Sequence, residues 1–549
     1  MELVKTGIEG LDLVLGGGIV PGHNVLVEGT PGSGKTTLGI QFVMNGALQF
    51  DEAGLIVTFE QFPAELYRDV AAFGWDLKAL EASGRVRVLS TSPPAFQAGL
   101  TEAGGFLDEM IRELGIKRLQ LDSVTHFARI AESPTQLRAL LTGLLNGLKT
   151  KGVTSFLVKE LAAAESDAIA FEEYMVDTSL RLYNTPPGGV GEHLRTVEVR
   201  KTRGRPHISG RHPFRILSDG IHVFPHLPPP PGGAPSEGIK AGRRCSTGVH
   251  GLDQMLTDGL LEGSATLVAG SAGVGKTILG LHFLSAGAKT GEPGLLVTFQ
   301  EAPEKITTFM ASFGMDPEQL MVQQMLSVVS YSPVQLCMEE FLWQLGKTIE
   351  AKRIRRLLLD SLSDLEATIR DPQLLRDYLF ALLRLLEAHG VTAVFTAEIP
   401  QITGDIQISQ VGYSFMVDSV ILMRYVEVES ALERVLSVLK SRGTAHDKGL
   451  RLFKISDKGI EVGQRPLGLS GVMSGTAVGK QKQAIEQMAQ PLAFIRDFTD
   501  LIRRGELDAA SQTEILNQIL EQVEAMARRL CTEYDLDYQS VMGEPRDGA

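Results

Sequence analysis

One stretch of the sequence decides the fold, Gly29-Thr30-Pro31-Gly32-Ser33-Gly34-Lys35-Thr36. It matches the P-loop pattern G-x-x-x-x-G-K-[ST] at every fixed position, and it lies between an apolar stretch, NVLVEG, and a helix-prone stretch, as the pattern requires. The glycines of such a loop let backbone N–H groups turn towards phosphate oxygens, and the lysine adds a positive charge near the β and γ phosphates. The stretch therefore predicts a strand–loop–helix unit that binds a nucleotide.

The second half of the chain repeats the first over a long register. The second P-loop is Gly270-Ser271-Ala272-Gly273-Val274-Gly275-Lys276-Thr277, and it again follows an apolar stretch, ATLVAG. Other matched pairs are LIVTFE with LLVTFQ, the LDS stretches at Asp122 and Asp360, MVD at 175–177 and 416–418, and the K-x-R-G stretches from Lys201 and Lys440. A period this long indicates duplicated domains and not a solenoid of short repeats.

Each copy alternates short apolar runs with helix-period stretches, which favours a mainly parallel sheet covered by helices. The predicted fold class is α/β, with two tandem RecA-like P-loop domains and a C-terminal helical extension. We place the first domain at residues 1–224, a proline- and glycine-rich linker at 225–240, the second domain at 241–479 and a helical tail at 480–549.

The tail is predicted to contain two helical segments, at 481–504 and 511–534. Ser511 and Glu514 form a capping-box pattern at the start of the second segment. An apolar stripe follows on one face of that segment, comprising Leu516, Ile519, Leu520, Val523, Met526, Ala527 and Leu530. We expect this stripe to be buried, either in a local helical hairpin or in a coiled coil or partner-binding tail that joins rings or binds another protein.

The composition argues against several protein classes. A net charge of −13 disfavours a surface that coats nucleic acid. Cys245, Cys337 and Cys531 lie far apart without a C-x-x-C pair, so neither a disulfide framework nor a zinc site is predicted. No stretch offers the ~18 uninterrupted apolar residues of a membrane span, and the N-terminus lacks a signal-peptide pattern. We therefore expect a cytoplasmic protein without membrane segments.

An aspartate ends an apolar strand in each copy, downstream of the P-loop. Asp122 follows KRLQL and Asp360 follows RLLL. A carboxylate at a strand end is often only a turn or helix-capping residue, but it can also hold the water shell of Mg²⁺. Its matched place in both copies favours the metal role, so the predicted magnesium ligands are Thr36 with Asp122 and Thr277 with Asp360.

A polar pair ends another strand of each copy, Glu60-Gln61 in the first and Gln300-Glu301 in the second. Carboxylates and glutamines can orient or deprotonate an attacking water, although a strand-end residue can also simply face solvent. Each copy keeps one carboxylate, but at opposite positions of the pair. We take Glu60 and Glu301 as the candidate catalytic carboxylates and expect the two sites to differ in rate.

A basic motif, K-x-R-G-x-x-H, also recurs. Charge runs are commonly solvated, but a cation on a loop can neutralise a transferring phosphoryl group, including one bound to a neighbouring subunit. The motif comprises Lys201, Arg203 and His207 in the first copy and Lys440, Arg442 and His446 in the second.

The predicted ATP-binding residues are these six and the P-loop residues Gly29, Thr30, Pro31, Gly32, Ser33, Gly34, Lys35, Thr36, Thr37, Gly270, Ser271, Ala272, Gly273, Val274, Gly275, Lys276, Thr277 and Ile278. The cations assigned a catalytic role are Lys35, Lys276, Lys201, Arg203, Lys440 and Arg442.

With these elements assembled, residues 1–479 resemble the KaiC family of double-domain ATPases and autokinases. The resemblance lies in the TGIxGLD-type openings, both P-loops, VTFE, LDS, the K-x-R-G-x-x-H loops, and the stretches HDK at 446–448 and ISDKG at 455–459. It implies a hexameric ring of two tiers that uses ATP and Mg²⁺, with ATP at subunit interfaces and the basic loop reaching the neighbour's γ-phosphate. It also implies a signalling or timing role with a KaiB-like or other protein partner.

The sequence departs from the family pattern at two places. The family usually has two adjacent glutamates where this chain has Glu60-Gln61 and Gln300-Glu301. Its adjacent phosphoacceptors, a serine and a threonine, correspond here to Ser414 and Phe415. Ser414 is therefore the candidate phosphoacceptor, or an ordinary polar residue at a strand start, and a two-site phosphorylation cycle is excluded at this pair. The equivalent position of the first copy is Glu173, which this chemistry cannot phosphorylate.

Three functional hypotheses follow. The first is a ring-forming ATPase that binds Mg-ATP at two sites per chain and whose second domain phosphorylates itself on Ser414. The second is a nucleotide-sensing scaffold with little turnover, which the split Glu/Gln pairs favour. The third is a RecA-type DNA-handling ATPase, because nucleotide motifs report ATP and not its use. The acidic balance and the lack of a basic, aromatic-rich stripe disfavour this third hypothesis.

Overall fold

The computed structural model describes residues 2–102, 104–161, 171–186, 194–226, 242–333, 336–369, 371–399, 415–428, 431–443, 445–463, 469–470, 476–479, 504 and 508–534. Contacts group these residues into two compact units. One unit contains the sheet of the first sequence copy together with two helices of the second copy, Met338–Lys352 and Pro372–Ala388. The other contains the sheet of the second copy.

The first sheet has the P-loop strand at its centre. Its strands within the described residues are β1 (Asn24–Gly29), β2 (Gly54–Thr58), β3 (Val86–Ser90), β4 (Arg118–Asp122), β5 (Thr154–Glu160), β6 (Thr178–Thr185), β7 (Leu194–Thr202), β8 (Arg211–Leu217) and β9 (Gly220–Val223). They lie in the order β3-β2-β4-β5-β1-β6-β7-β8-β9. The strands from β3 to β6 are parallel, and β6 to β9 continue the sheet as antiparallel neighbours.

Helices cover both faces of this sheet. They are α1 (Leu11–Val14), α2 (Lys35–Gln49), α3 (Pro63–Ala71), α4 (Leu77–Ala82), α5 (Pro93–Thr101), α6 (Phe106–Leu114), α7 (Thr125–Ile130), α8 (Pro134–Thr150) and α9 (Phe171–Met175). Successive strand side chains point to opposite faces, so Val25 and Val27 pack in one apolar cluster with α2, and Leu26 packs in another with α5 and α8. A strand buried on both sides requires the continuous apolar run seen in the sequence.

The second sheet repeats this order. The strands of the second sequence copy are β10 (Arg244–Cys245), β11 (Leu260–Leu261), β12 (Ala265–Gly270), β13 (Gly294–Thr298), β14 (Leu326–Ser330), β15 (Arg356–Asp360), β16 (Thr392–Glu398), β17 (Ser419–Val428), β18 (Ala431–Ser441), β19 (Arg451–Ser456), β20 (Gly459–Val462), β21 (Leu469–Ser470) and β22 (Thr476–Gly479). Within the described residues, β10 and β11 pair only with each other. The main path is β14-β13-β15-β16-β12-β17-β18-β19-β20, with β22 paired to β17 and β21. The predicted α/β class and its tandem RecA-like domains are confirmed.

The helices of the second copy are α10 (His250–Met255), α11 (Lys276–Lys289), α12 (Pro303–Ala311), α13 (Pro317–Val322), α14 (Met338–Lys352), α15 (Leu362–Thr368) and α16 (Pro372–Ala388). Each P-loop therefore joins a central strand to a buried helix, α2 or α11, as the sequence predicts. None of the helices in the described part of the chain is long and apolar enough to span a membrane.

The tail contributes one described helix, α17 (Ala509–Tyr534). Of the helical segment predicted at 481–504, residues 481–503 lie outside the described residues, as does the linker from residue 227 onwards. On α17, Leu516 is 56% exposed and Leu520 is 59% exposed. The apolar stripe is therefore present on a helix with solvent-facing leucines, and its burial against a partner stays a prediction.

A buried arginine supports each P-loop helix at the same position of both copies. Arg118 on β4 donates to the carbonyl of Phe42, a residue of α2, at 2.9 Å. Its counterpart Arg356 on β15 donates to the carbonyl of Phe283, a residue of α11, at 2.7 Å. A Cβ added at Gly46 would lie 2.3 Å from the Arg118 Cδ, so this helix position must stay small for the arginine to pass. The duplication thus extends to internal packing details that no nucleotide motif dictates.

Candidate functional site

The first P-loop is shaped by its own lysine and its last glycine. Lys35 is only 6% exposed, and its Nζ donates to the Thr30 carbonyl at 2.9 Å. Gly34 precedes α2 with φ of 96°, a left-handed conformation that a residue with a Cβ rarely adopts. The loop therefore curves over the N-terminus of a buried helix, where unpaired N–H groups favour an anion.

The second P-loop has the same construction. Lys276 donates to the carbonyls of Gly270 and Ser271 at 3.0 and 2.9 Å, and Gly275 precedes α11 with φ of 115°. Burial lowers the pKa of both lysines, while neighbouring carboxylates oppose that shift: Glu160 and Asp122 act on Lys35, and Glu398 and Asp360 on Lys276. Each lysine is thus a largely desolvated donor beside acidic groups.

The predicted magnesium ligands come together in both copies. Thr36 Oγ1 donates to Asp122 Oδ2 at 2.5 Å, and Thr277 Oγ1 donates to Asp360 Oδ2 at 2.7 Å. Burial raises the pKa of Asp122, against the opposing effects of the Thr36 hydrogen bond and of Lys35. A hydroxyl and a carboxylate side by side form a small set of hard oxygen donors, which suits Mg²⁺ because this ion keeps several waters and takes the rest of its ligands from phosphates.

A cavity of about 410 Å³ lies over the second P-loop. Its walls include Lys276 and Thr277, the strand-end pair Gln300 and Glu301, and a further polar group made up of Asp360, Ser361, Asp364 and Glu398. The structure therefore brings the predicted phosphate-binding, metal-binding and water-activating residues of the second copy to one cavity. Cavities of this size hold small ligands.

Glu60 of the first copy is held by two side chains of α7. Its Oε1 lies 3.2 Å from Nε2 of His126, and it accepts from Nη1 of Arg129 at 3.2 Å. The Glu60 side chain is still 61% exposed, so it is directed by these contacts without being enclosed. The adjacent Gln61 donates its backbone N–H to the Thr58 hydroxyl, which anchors the loop at the end of β2.

The second copy keeps the backbone anchor and changes the side-chain partners. The Glu301 backbone N–H donates to the Thr298 hydroxyl at 3.2 Å, as Gln61 does in the first copy. The Glu301 carboxylate pairs with Lys305 at 2.6 Å, one helical turn along. Gln300, which takes the position of Glu60, donates its Nε2 to Asp364 Oδ1 at 2.6 Å.

The basic motifs lie at a turn beside the segment that precedes β6 or β17. Lys201 and Lys440 donate to the equivalent carbonyls of Val176 and Val417, at 2.8 and 2.7 Å. Burial lowers the pKa of both lysines, and the adjacent Arg203 or Arg442 lowers it further.

The arginines of the motif bond the carbonyls of Tyr174 and Phe415, at 2.8 and 2.7 Å, and the Arg203 side chain is 52% exposed. His207 and His446 are half-buried. None of the second-copy motif residues is among the described residues that line the 410 Å³ cavity. Ser414, the candidate phosphoacceptor, lies outside the described residues.

A model of the KaiC ATPase family matches this chain at residues 4–228 and again at 245–466. The chain belongs to the KaiC family of ATPases. The two matches fall on the two sheets described above, so the family pattern covers both copies and their P-loops.

Individual KaiC proteins are similar over most of their length. The circadian clock oscillator protein KaiC of Parathermosynechococcus lividus is 32% identical over 482 residues, covering 86% of this chain and 87% of that protein. KaiC of Synechococcus elongatus is 31% identical, covering 86% and 91%. KaiC of a Picosynechococcus species is 30% identical, covering 91% and 96%. Family membership makes this chain a nucleotide-binding ATPase of the KaiC type.

The structure also adds site residues that the sequence analysis missed. Glu160 and Glu398 end β5 and β16 beside the P-loop lysines, and both copies carry a glutamate there, which is a signal that the internal alignment could have supplied. His126, Arg129 and Asp364 are brought to the strand-end pair from the helices that follow Asp122 and Asp360. These three differ between the copies, so no repeated pattern marks them.

Proposed function

We propose that this KaiC-family chain binds Mg-ATP at two sites and hydrolyses it at both, within a ring. The observation that supports the proposal is the repeated trio of lysine, threonine and aspartate, Lys35 with Thr36 and Asp122, and Lys276 with Thr277 and Asp360. In each trio a desolvated ammonium and a hydroxyl–carboxylate pair converge at the N-terminus of a buried helix. This arrangement suits a triphosphate with its metal ion.

Magnesium fits these residues. Thr36 and Asp122 would hold it in the first site, and Thr277 and Asp360 in the second. When bound, the ion supplies positive charge to the β and γ phosphate oxygens as negative charge shifts between them. Lys35 in the first site and Lys276 in the second would also bind β and γ phosphate oxygens, and the backbone N–H groups of each P-loop would hold the phosphates in position.

Water activation is assigned to Glu60 in the first site and to Glu301 in the second. In a chain whose second site is silenced by Lys276→Ala, we expect Glu60→Gln to lower phosphate release by about tenfold or more, because the general base is lost. In a chain with Lys35→Ala, Glu301→Gln should act likewise on the second site. Initial rates of phosphate release from saturating ATP measure both effects.

Matched controls for this experiment are Glu65→Gln and Glu304→Gln, because both glutamates are exposed and lie on the helices that follow the strand-end pairs. These controls should keep the parent rate. Unchanged rates in Glu60→Gln and Glu301→Gln would contradict the assignment of the water-activating groups.

A ring is proposed from the second copy, whose basic motif is not among the described residues that line the cavity over its own P-loop. Lys440 and Arg442 are fixed to backbone carbonyls at a turn, and they are absent from the described lining of the second-site cavity. A neighbouring subunit in a hexamer would bring its Lys201, Arg203 and His207, or Lys440, Arg442 and His446, to the γ-phosphate. We further propose that a protein partner, KaiB-like or another signalling protein, responds to the nucleotide state.

Autophosphorylation on Ser414 is a further part of the proposal. It is supported by the similarity to the clock protein KaiC and by the hydroxyl at this position, and Phe415 limits the reaction to one acceptor. Incubation with γ-labelled ATP followed by mapping of the label tests it, with Ser414→Ala as the control. Label on Ser414 supports a serine autokinase, and free phosphate without labelled protein supports an ATPase alone.

A nucleotide sensor with little turnover is the second candidate function. The observation that favours it is the pair of side-chain contacts on Glu60, because Arg129 and His126 compete with a water for the carboxylate oxygens. Bound ATP that is released intact would support this candidate, whereas steady phosphate release would support the ATPase.

A further inference from the structure

The two sites hold their strand-end residue with opposite hydrogen-bonding chemistry. In the first site Glu60 can only accept, and it faces the donors His126 and Arg129 on α7. In the second site Gln300 donates, and it faces the acceptor Asp364 on α15. His126 and Asp364 occupy matched positions after Asp122-Ser123 and Asp360-Ser361. The strand-end residue is therefore the acceptor in the first site and the donor in the second, although the two contacts join matched positions of the two copies.

The exchange determines which oxygen atom is left to accept a hydrogen bond from a water. Because the Gln300 amide nitrogen bonds to Asp364, its carbonyl oxygen is the atom left to accept from a water. In the first site the contacts found among the described residues use only Oε1 of Glu60, which leaves Oε2 for the same task. Each site therefore has one oxygen atom left to accept from a water, Oε2 of Glu60 in the first site and the side-chain carbonyl oxygen of Gln300 in the second.

Asp364 is itself held in place. Its Oδ2 accepts from the backbone N–H of Ser361 at 3.1 Å and from the Ser361 hydroxyl at 2.6 Å, and its Oδ1 is the atom that meets Gln300. The first of these contacts is an ordinary capping box at the start of α15. The contact with Gln300 is not part of that box, and Asp364 also lines the cavity over Lys276 and Thr277. The carboxylate therefore faces the reaction site and the helix cap together.

We propose that Asp364 is a positioning residue of the second site, which fixes the Gln300 amide so that its carbonyl oxygen orients the attacking water. The inference rests on the proposed hydrolysis. It adds that orienting the water and taking its proton, which Glu60 does alone in the first site, are divided between two residues in the second site. The water oxygen forms a bond to the γ-phosphorus, the bond from that phosphorus to the bridging oxygen breaks, and ADP leaves with the electron pair. Gln300 orients the water and Glu301 takes its proton.

A charge-swap experiment tests this inference in the full-length chain. All variants, and the parent with which they are compared, carry Lys35→Ala, which silences the first site, so the measured phosphate release comes from the second site. Gln300→Glu alone sets two carboxylates against each other, so we expect the kcat of ATP hydrolysis to fall by about tenfold or more, with a smaller change in KM. Gln300→Glu with Asp364→His recreates the pair found in the first site, and its kcat should return to within about threefold of the parent.

Asp364→Asn adds a second test of the same contact. An asparagine can accept from Gln300 through its own oxygen, but its amide can also donate, so the Gln300 amide is no longer held in one orientation. We expect a kcat between those of the parent and of Gln300→Glu. Asp316→Asn is the matched control, because Asp316 caps α13 away from the cavity, and it should leave kcat unchanged.

The outcomes separate a positioning role from a purely structural one. If Asp364 only caps α15, the effects of changing residues 300 and 364 multiply and the double variant is slower than either single variant, which overturns the inference. An unchanged kcat in Gln300→Glu and in Asp364→Asn overturns it as well. Binding of a fluorescent ATP analogue is measured alongside. If the wild-type chain binds the analogue but releases no phosphate from ATP, the proposed hydrolysis fails and this inference fails with it. If the chain hydrolyses ATP but the effects of changing residues 300 and 364 are independent, only the inference is overturned.

Discussion

Replacing Lys35 and Lys276 with alanine together is expected to abolish ATP hydrolysis and to weaken nucleotide binding at both sites. Lys35 is buried and Lys276 is half-buried, and both donate to P-loop carbonyls, so each ammonium is already directed into the phosphate loop. Loss of one charge-assisted hydrogen bond should lower nucleotide affinity by about 10- to 150-fold per site. Hydrolysis should fall further, because charge that develops on the γ-phosphate loses its partner.

Single variants assign these effects to individual sites. Lys35→Ala should remove the tight binding of one nucleotide per chain and leave the other, and Lys276→Ala should do the reverse. Titration calorimetry with a non-hydrolysable ATP analogue measures both the affinity and the number of sites. Lys78→Ala, at an exposed lysine of the first domain, is the control and should bind as the parent does. Equal affinity in the parent and in the double variant would contradict the P-loop assignment.

The second large effect is expected at the buried charge cluster behind the first P-loop. Glu28 on β1 is fully buried, and its Oε1 accepts from Arg181 Nε at 2.5 Å. Glu173 also lies in this cluster and is 3% exposed. Arg181→Leu would leave two buried carboxylates without the guanidinium, which should lower the free energy of unfolding of the first domain by about 3–5 kcal/mol. Hydrogen exchange of the β1 and β6 amides in the full chain measures the loss.

The second domain supplies the matched control for this change. Ala269 and Leu422 occupy the positions of Glu28 and Arg181, with the same parallel register between the central strand and its neighbour. Arg181→Leu with Glu28→Ala therefore installs an apolar pair that the fold already tolerates. We expect it to recover most of the lost protection, while Glu173 keeps its contacts with Ser179 and Arg200. Equal loss of protection in the single and double variants would show that the ion pair itself is not the cause.

The sequence predicts those parts of the sites that are fixed by short, contiguous patterns. A P-loop is one local segment, so Lys35 and Thr36 could be assigned from their spacing alone. Asp122 could be predicted as a site residue because it ends an apolar run. Its contact with Thr36 follows from the strand order, in which β4 lies two places from β1. The duplicated α/β architecture was predictable for the same reason, since its apolar periods are local.

The remaining site residues depend on contacts between distant segments. His126 and Asp364 meet the strand-end pair only because β2 and β4, or β13 and β15, are neighbours in the sheet. Nothing in their own surroundings along the chain marks them. The role of Glu28 was not predicted because it lies within a stretch that reads as an apolar strand. Its partner Arg181 lies on a strand that is distant along the chain. The antiparallel strands β7 to β9 were likewise not predicted, because the alternation of apolar runs and helix-period stretches indicates parallel strands only.

Each half of the chain is proposed to form its own nucleotide site. Counting the nucleotides bound per chain tests it most directly, by titrating the wild-type protein with a non-hydrolysable ATP analogue in the presence of Mg²⁺. We expect two tightly bound nucleotides per chain for the wild type, one for each single lysine variant, and none that binds with wild-type affinity for the double variant. A wild-type protein that binds a single nucleotide per chain, or a double variant that still binds two, would contradict it.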